Sequence, residues 1–234
     1  MRFCVIQPGY FSAIPVLGRA LAADVIVWAD SFTFNKHSEI NRTVIKTIAG
    51  PKWLTIPVFS TPDSGAPISA MRIDNHEKWQ QKHRRTLEIN YRNAAYYHFY
   101  CENLQTVYNH DQQLLEQLLW SSFLFLTQQL HITAKIVKSS ALPHRQDRSE
   151  RALCWGKELA CDTYLFAAEE RNFIARQVIT LGGMNLHSFS LTPFSYYQQY
   201  DDILFPLSIL DLIFNEGPAA ASLLIKNSHI NTEC

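Results

Sequence analysis

The first thirty residues constrain the fold of this chain more than any other segment. Two apolar segments, residues 3–6 and 24–29, enclose a helical segment over residues 16–23 with Pro15 just ahead of it. Proline fits the first turn of a helix because its missing N–H would have no partner there. A strand, a helix and a second strand within about 30 residues are typical of a βαβ unit, whose strands are parallel. We therefore predict an α/β protein with a parallel, Rossmann-like sheet.

The remaining elements extend this sheet and add a helical section between residues 76 and 130. Further strands are predicted at residues 53–59, 134–138, 163–166 and 186–189, and helices at 76–93, 96–108, 111–130 and 206–215. We expect residues 1–234 to form a single α/β domain in which residues 76–130 are a helical subdomain or cap. The polar residues 227–234 are predicted to be a frayed tail, because chain ends are poorly ordered unless something holds them.

Charge and cysteine content argue against several classes of protein. The chain has 21 basic and 21 acidic residues, so it lacks the basic excess of most nucleic-acid-binding proteins and we expect no nucleic-acid partner. Its five cysteines include no C-x-x-C pair, which argues against a zinc cluster or a disulfide framework. The sequence shows no signal peptide and no apolar stretch long enough to span a bilayer. We expect a cytoplasmic protein whose partner is a small molecule.

Polar residues follow three of the predicted strands. Gln7 ends the first strand, Asp30 ends the second, and Ser139 and Ser140 follow the strand at residues 134–138. Ligands of open parallel sheets bind outside the carboxyl ends of the strands. These side chains are therefore predicted to face one crevice. The alternative is that they are polar only because strands commonly end in polar residues.

A basic segment leaves the second strand directly after Asp30. It contains Lys36, Asn41 and Arg42 within a few residues. The guanidinium group of arginine matches the geometry of phosphate or carboxylate, and lysine adds a point charge. The segment is interpreted either as an anion clamp or as a solvated loop.

The helix predicted at residues 76–93 carries a histidine on its apolar face. Trp79, His83, Leu87 and Tyr91 are spaced by four residues and share that face, while Lys82 lies on a neighbouring one. An inward histidine is usually a hydrogen-bonded core residue. Its pKa near neutrality also makes it a candidate general base or acid.

The last predicted helix is apolar except for one polar stripe. Ser208, Asp211 and Asn215 are spaced by three and four residues, so they share one face. A buried carboxylate needs cations or hydrogen-bond donors around it. The stripe is either a capping and packing network or a second layer of side chains in which Asp211 orients Arg42 or His83.

Common catalytic motifs are absent from the sequence. It contains no G-x-x-x-x-G-K-[ST], no G-x-G-x-x-G, no H-E-x-x-H and no G-x-S-x-G. We therefore expect no metal site and find no evident cofactor. A nucleotide or a nucleotide-linked donor is compatible with the basic residues, and the need for magnesium stays open.

The order of several short motifs resembles the WbqC-like proteins of bacteria. The matching pieces begin with QPGYF at 7–11 and continue through Asp24 and Asp30, Asn41-Arg42, Ile45-Lys46, WLTIPV at 53–58, Trp79 with Lys82-His83, Tyr91, CDTYL at 161–165 and LSILDLIFNEG at 207–217. The resemblance implies a cytoplasmic enzyme encoded with surface-polysaccharide (O-antigen) pathways. The start of the chain is also similar to α/β folds of the nucleotidyltransferase and adenylate-forming type, although Gln7-Pro8 stands where their histidine-containing phosphate motif would be.

The resemblance and the residues together give one functional hypothesis. It is a transferase in bacterial surface-polysaccharide biosynthesis that acts on a phosphate-bearing, nucleotide-linked amino sugar, with acyl or aminoacyl transfer as one form of the reaction. His83 and Asp30 are the predicted catalytic residues, and His83 is the proton acceptor. The predicted substrate- and phosphate-binding residues are Gln7, Tyr10, Lys36, Asn41, Arg42, Lys82 and Trp79. The alternative is a non-catalytic scaffold of a polysaccharide-synthesis complex.

Overall fold

Six strands form one central sheet in the computed structural model, which describes residues 1–36, 38–59, 65–108 and 112–233. In chain order the strands are β1 (Arg2–Ile6), β2 (Val25–Trp28), β3 (Arg42–Thr47), β4 (Gly50–Thr55), β5 (Lys135–Lys138), β6 (Thr163–Ala167), β7 (Asn185–Leu191) and β8 (Ser228–Glu233). The helices are α1 (Ile14–Leu21), α2 (Trp79–Tyr91), α3 (Tyr97–Tyr108), α4 (Leu115–Gln129), α5 (Arg148–Glu158), α6 (Arg176–Leu181), α7 (Ile209–Glu216) and α8 (Ala219–Lys226).

The strand order across the sheet is β5-β2-β1-β6-β7-β8. The first five of these strands are mutually parallel, and β8 alone runs antiparallel to its neighbour β7. From β1 the chain moves to one side of the sheet through β2 and β5, and it later returns to the other side at β6. The prediction of an α/β fold with a mostly parallel sheet is confirmed.

The strand predicted at residues 53–59 is not part of this sheet. Residues 50–55 form β4, which pairs antiparallel with β3 in a separate two-stranded hairpin. Ile48 and Ala49 make the turn, and Gly50 follows with a positive φ of 98°, which glycine adopts without steric cost. A connection this short joins antiparallel strands only, because a parallel pair needs a crossover of a dozen residues or more.

Side chains alternate between the two faces of the sheet. Cys4 and Ile6 pack into a core with α1, α4 and α7, while Phe3 and Tyr164 pack into a second core with α5 and α6. The helical section of α2, α3 and α4 packs on the first of these cores, where Trp120 of α4 meets Trp28 edge-on at 4.9 Å between ring centroids. Both faces of the sheet are covered, as is usual for parallel sheets.

The frayed tail predicted at residues 227–234 is wrong for residues 228–233. These residues form β8 and pair with six of the seven residues of β7, from Leu186 to Leu191. The otherwise open edge of β7 supplies backbone partners, and Arg171 and Arg176 pair with Glu233. The sequence pattern gave no sign of this pairing because the strand lies at an edge and its residues are polar. Cys234 lies outside the described residues.

Candidate active site

A crevice opens where the pairing between β1 and β6 stops. The β1–β6 ladder ends at Cys4 and Leu165, whereas β1 stays paired with β2 as far as Ile6. The chain leaves β1 toward β2 and reaches β6 on the other side, so this is the point at which strand order reverses. Ligands of open α/β sheets bind at such points, at the carboxyl ends of the strands.

The crevice has two compartments that share one wall. The shared wall consists of Gln7, Phe32, Arg148, Arg151 and Trp155. The outer compartment, about 780 Å³, is also lined by Ser31, Ser139, Ser140 and His144. The inner compartment, about 200 Å³, is also lined by Val5, Arg19, Tyr164 and Glu170. The outer volume lies in the range of small-molecule sites.

Asp30 is hydrogen-bonded to the residues that follow β5 and lies behind the outer compartment. Its carboxylate accepts hydrogen bonds from the Ser139 hydroxyl at 2.8 Å and from the Ser140 backbone and hydroxyl at 2.9 and 2.6 Å. Burial alone would raise the pKa of Asp30, but these bonds and the charge of Lys138 outweigh it and lower the pKa below its ordinary value. Asp30 is therefore an anionic anchor that is only 4% exposed.

The anchor fixes which way the neighbouring hydroxyl protons point. Ser139 and Ser140 both donate to Asp30, so the 2.7 Å bond between the Ser31 and Ser139 hydroxyls must have Ser31 as its donor. Each hydroxyl has one proton and two lone pairs, and the lone pairs of Ser31 and Ser140 are left for the outer compartment. This end of the crevice accepts hydrogen bonds, which suits a ligand's hydroxyl or amino groups.

Another wall of the crevice is cationic. Arg148 and Arg151 stand one helical turn apart on α5. The Arg151 guanidinium lies 4.8 Å from the Phe32 ring centroid and 5.5 Å from that of Trp155. Burial and the charge of Arg148 lower the pKa of Arg151 from its ordinary value, and stacking on aromatic faces offsets part of that cost. An anion bound here would relieve the repulsion between the two guanidinium groups.

The predicted strand-end residues are brought together. Gln7 lines both compartments, and Asp30, Ser139 and Ser140 form the network described above. Gln7, Ser139 and Ser140 line the crevice as predicted, whereas Asp30 lines neither compartment. Asp30 takes a supporting position behind the serines, since their hydroxyls lie between it and the compartment.

His83 lies in the protein core rather than in the crevice. Its Nδ1 is 3.0 Å from the Tyr10 hydroxyl, its ring meets Trp79 edge-on, and it is 6% exposed. Burial lowers the pKa of His83 to about 4, although a hydrogen bond to the Thr55 backbone acts in the other direction. Tyr10 is fully buried and also bonds Tyr108, and Trp79 donates its indole N–H to Asn75. This group fits the core interpretation.

The residues of the predicted anion clamp are not brought together. Lys36 is exposed and lines neither compartment, and Lys82 forms an exposed ion pair with Glu77 at 2.7 Å. Asn41 is buried and donates to the Ile56 carbonyl, so it holds β3 to the segment after β4. Arg42 lies 4.3 Å from the Trp53 ring centroid and lines a smaller depression, about 110 Å³, beside Gln7.

The polar stripe on α7 is a packing network. Asp211 is fully buried and accepts hydrogen bonds from Tyr91 at 2.7 Å and Tyr196 at 2.8 Å. Ser208 caps α7 and donates to the Phe11 carbonyl, and Asn215 donates to the Asp211 carbonyl. Burial raises the pKa of Asp211 despite these donors. The hypothesis that Asp211 orients Arg42 or His83 is wrong, because its carboxylate oxygens accept hydrogen bonds from Tyr91 and Tyr196 instead.

Sequence reasoning missed the cations that do line the crevice. The helix that carries Arg148 and Arg151 was not predicted, although Asp147 caps it and two arginines three residues apart follow the Ser139-Ser140 strand end. Arg19 was missed as well. Its position inside the otherwise apolar segment of α1 was the available indication, since a charge there needs partners.

The described residues include neither a candidate metal cluster nor a candidate membrane-spanning helix. Among residues 1–36, 38–59, 65–108 and 112–233, no group of three or more His, Cys, Asp or Glu side chains is placed to hold a metal ion. Within the same ranges, no helix has the length and apolar character needed to cross a membrane.

Comparisons with known proteins bear on the same residues. Residues 7–223 match the WbqC-like protein family. An uncharacterized protein of Mycobacterium tuberculosis (strain ATCC 25618 / H37Rv), Rv1507c, is 27% identical over 218 residues, which make up 92% of this chain and 91% of that protein. No solved structure gives a significant match. Because the family match extends from the end of β1 into α8 and includes Gln7, Asp30, Arg148 and Arg151, the chain belongs to the WbqC-like protein family.

Proposed function

We propose that this protein is a transferase that acts on a phosphate-bearing, nucleotide-linked amino sugar in bacterial surface-polysaccharide biosynthesis. One observation carries the proposal: a single crevice at the reversal point of the sheet has a cationic wall and a hydrogen-bond-accepting wall. The polysaccharide context rests only on the family resemblance. An acyl or aminoacyl group is the proposed cargo.

The cationic wall is the proposed phosphate site. Arg148 and Arg151 present planar guanidinium groups from adjacent turns of α5, and such groups bind phosphate oxygens in pairs. Gln7 adds an exposed amide at the end of β1. These residues replace Lys36 and Lys82, which lie outside the crevice, in the phosphate-binding role.

The accepting wall is the proposed sugar site. Ser31 and Ser140 offer lone pairs to hydroxyl or amino groups. Asp30 accepts the proton of the Ser140 hydroxyl, so this hydroxyl is left as an acceptor for the ligand. Phe32 and Trp155, whose ring centroids are 6.4 Å apart, add an apolar surface beside the arginines. A ligand with an anionic end and a hydrogen-bond-donating end matches both walls.

Transfer to an amine or hydroxyl releases a proton. As the new C–N or C–O bond forms and the bond to the donor's leaving group breaks, a base in the crevice must accept that proton. His83 is enclosed by Tyr10 and Trp79 and has no access to the crevice, so we assign it no such role. His144 lines the outer compartment beside Ser139 and Ser140 and is the proposed acceptor.

A ligand screen tests the proposal. Ligand binding to the folded state raises the melting temperature, so the protein is screened against nucleotides, nucleotide-linked sugars and sugar phosphates, with and without magnesium. Arg151→Gln is expected to raise the dissociation constant of the ligand class that binds by at least tenfold, which corresponds to a loss of about 1.4 kcal/mol of binding free energy. The matched control is Arg145→Gln, an exposed arginine that lies on neither compartment wall. No shift with any phosphate compound, or equal effects of the two variants, would overturn the proposal.

The scaffold alternative also has an observation in its favour. Phe99 on α3 is 69% exposed, and Ile89 on α2 is 59% exposed. Contiguous exposed apolar patches mark partner surfaces, and these two side chains are the candidates for such a patch on α2 and α3. Phe99→Ser should abolish a scaffold interaction in a pull-down from the native source while leaving ligand shifts intact.

A further inference from the structure

The inner compartment contains a buried guanidinium group with an unused donor. The side chain of Arg19 is 9% exposed, and its Nη2 donates to the Val5 carbonyl at 3.1 Å. That carbonyl lies just beyond the end of the β1–β6 ladder. Nη1 of the same group is buried and makes no hydrogen bond. A buried charged donor without an acceptor costs the full desolvation penalty of the group.

The nearest carboxylate does not satisfy this donor. Glu170 lies between two arginines, with its oxygens 3.5 Å from Arg19 Nη1 and 3.6 Å from Arg148 Nη2. Charge-assisted N–H···O bonds are about 2.7–2.9 Å long, so both contacts are attractive but too long for hydrogen bonds. Glu170 sits on the short 3-10 segment Ala168–Phe173 and is partly exposed. It can move without disturbing a strand.

The charges around the inner compartment favour an anion. Arg19, Arg148 and Arg151 line it together with one carboxylate, that of Glu170. Positive charge therefore exceeds negative charge even with Glu170 in place. The wall formed by Arg148 and Arg151 belongs to both compartments, so an anion held in the outer compartment is adjacent to the inner one.

We propose that the inner compartment is a second anion subsite, so that the ligand carries two linked phosphates rather than one. Arg151 holds the outer phosphate, Arg19 and Arg148 hold the inner phosphate, and Glu170 is the internal anion that the ligand displaces. This inference rests on the proposed function and deepens it, because it selects a diphosphate-linked sugar over a sugar monophosphate. A purely structural Arg19–Glu170 pair would need neither displacement nor a second phosphate.

Two inorganic probes test the subsite directly. Dissociation constants of inorganic phosphate and pyrophosphate are measured by calorimetry at constant ionic strength and with a chelator present. Pyrophosphate is expected to bind at least tenfold more tightly than phosphate. Glu170→Gln removes the competing charge and should tighten pyrophosphate binding threefold or more, while phosphate binding changes less than twofold. Glu169→Gln, the exposed neighbour, controls for the general loss of one negative charge.

The outcomes separate this inference from the function on which it rests. If both probes bind through Arg151 with similar constants, or if Glu170→Gln and Glu169→Gln act alike, the second subsite is overturned and the single phosphate site remains. If neither probe binds and Arg151→Gln changes nothing, the proposed function and the subsite are overturned together. Arg19 is left unmutated because its burial makes misfolding an ambiguous result.

Discussion

Asp30 and Ser140 are joined by two hydrogen bonds, from the Ser140 backbone to one carboxylate oxygen and from its hydroxyl to the other. They connect the segment after β2 to the segment after β5, two strands that are neighbours in space but about 110 residues apart in the chain. One buried carboxylate thus closes the carboxyl edge of the sheet and orients the hydroxyls of the crevice.

Replacing this carboxylate should destabilise the protein. In Asp30→Asn, an amide N–H₂ group would point at a hydroxyl or backbone donor that now has no acceptor. We expect the free energy of unfolding in urea to fall by about 3 kcal/mol, since each lost bond to a charged acceptor is worth roughly 1.5–3 kcal/mol. Asp201→Asn, at an exposed position, should change it by less than about 0.5 kcal/mol. Similar stabilities of the two variants would contradict the role of Asp30.

The Tyr91–Asp211–Tyr196 network is expected to act on stability and not on ligand binding. Tyr196→Phe removes one of two hydroxyl donors from a fully buried carboxylate. The free energy of unfolding should fall by about 2 kcal/mol, and ligand dissociation constants should stay within twofold. Tyr197→Phe is the matched control, because the neighbouring ring is largely exposed. A selective loss of ligand binding in Tyr196→Phe would return Asp211 to the functional site.

His83 should make stability depend on pH below neutrality. Burial lowers its folded-state pKa to about 4, from an unfolded value near 6.5. Below pH 6.5 the unfolded chain therefore binds a proton that the folded protein does not bind. The stability present above pH 6.5 is lost progressively as the pH falls toward 4, by at most about 3 kcal/mol.

The measurement is the difference between the wild type and His83→Gln, which cannot titrate in this range. Urea unfolding at several pH values from 4 to 7 should show a smaller decline for the variant. Asp30 and Asp211 are present in both proteins, so their contributions to the pH dependence of stability cancel in this difference. Equal slopes would mean that His83 has the same pKa in the folded and unfolded states, as an accessible acid or base would have.

The parts of the fold that depend on local pattern were predictable. The first strand-helix-strand unit and most later elements follow from apolar segments and their flanking residues, and Asp30, Ser139 and Ser140 follow from the rule for strand ends. The order of elements along the chain is enough to infer that these three side chains meet.

Other features depend on contacts that no local pattern records. The segment predicted as a sheet strand begins at residue 53, yet the short turn before Gly50 pairs residues 50–55 with β3 in a hairpin. β8 exists because β7 offers a free edge. His83 and Asp211 look functional in the sequence since both are polar residues on apolar faces, but Tyr10, Tyr91 and Tyr196 satisfy them inside the core. The choice between core and crevice required tertiary partners.

The polarity of the serine wall should appear as a difference between ligands. Ser140→Ala removes a lone-pair acceptor from the outer compartment but leaves Arg148 and Arg151 in place. Binding of a phosphate-bearing amino sugar should weaken about fivefold to tenfold, the value of one neutral hydrogen bond, whereas inorganic phosphate should bind unchanged. Ser69→Ala, an exposed serine outside the crevice, provides the control for both ligands. Calorimetry with the two ligands gives the ratio directly. If both ligands weaken equally, the serine only positions α5, and the sugar does not lie against Ser140.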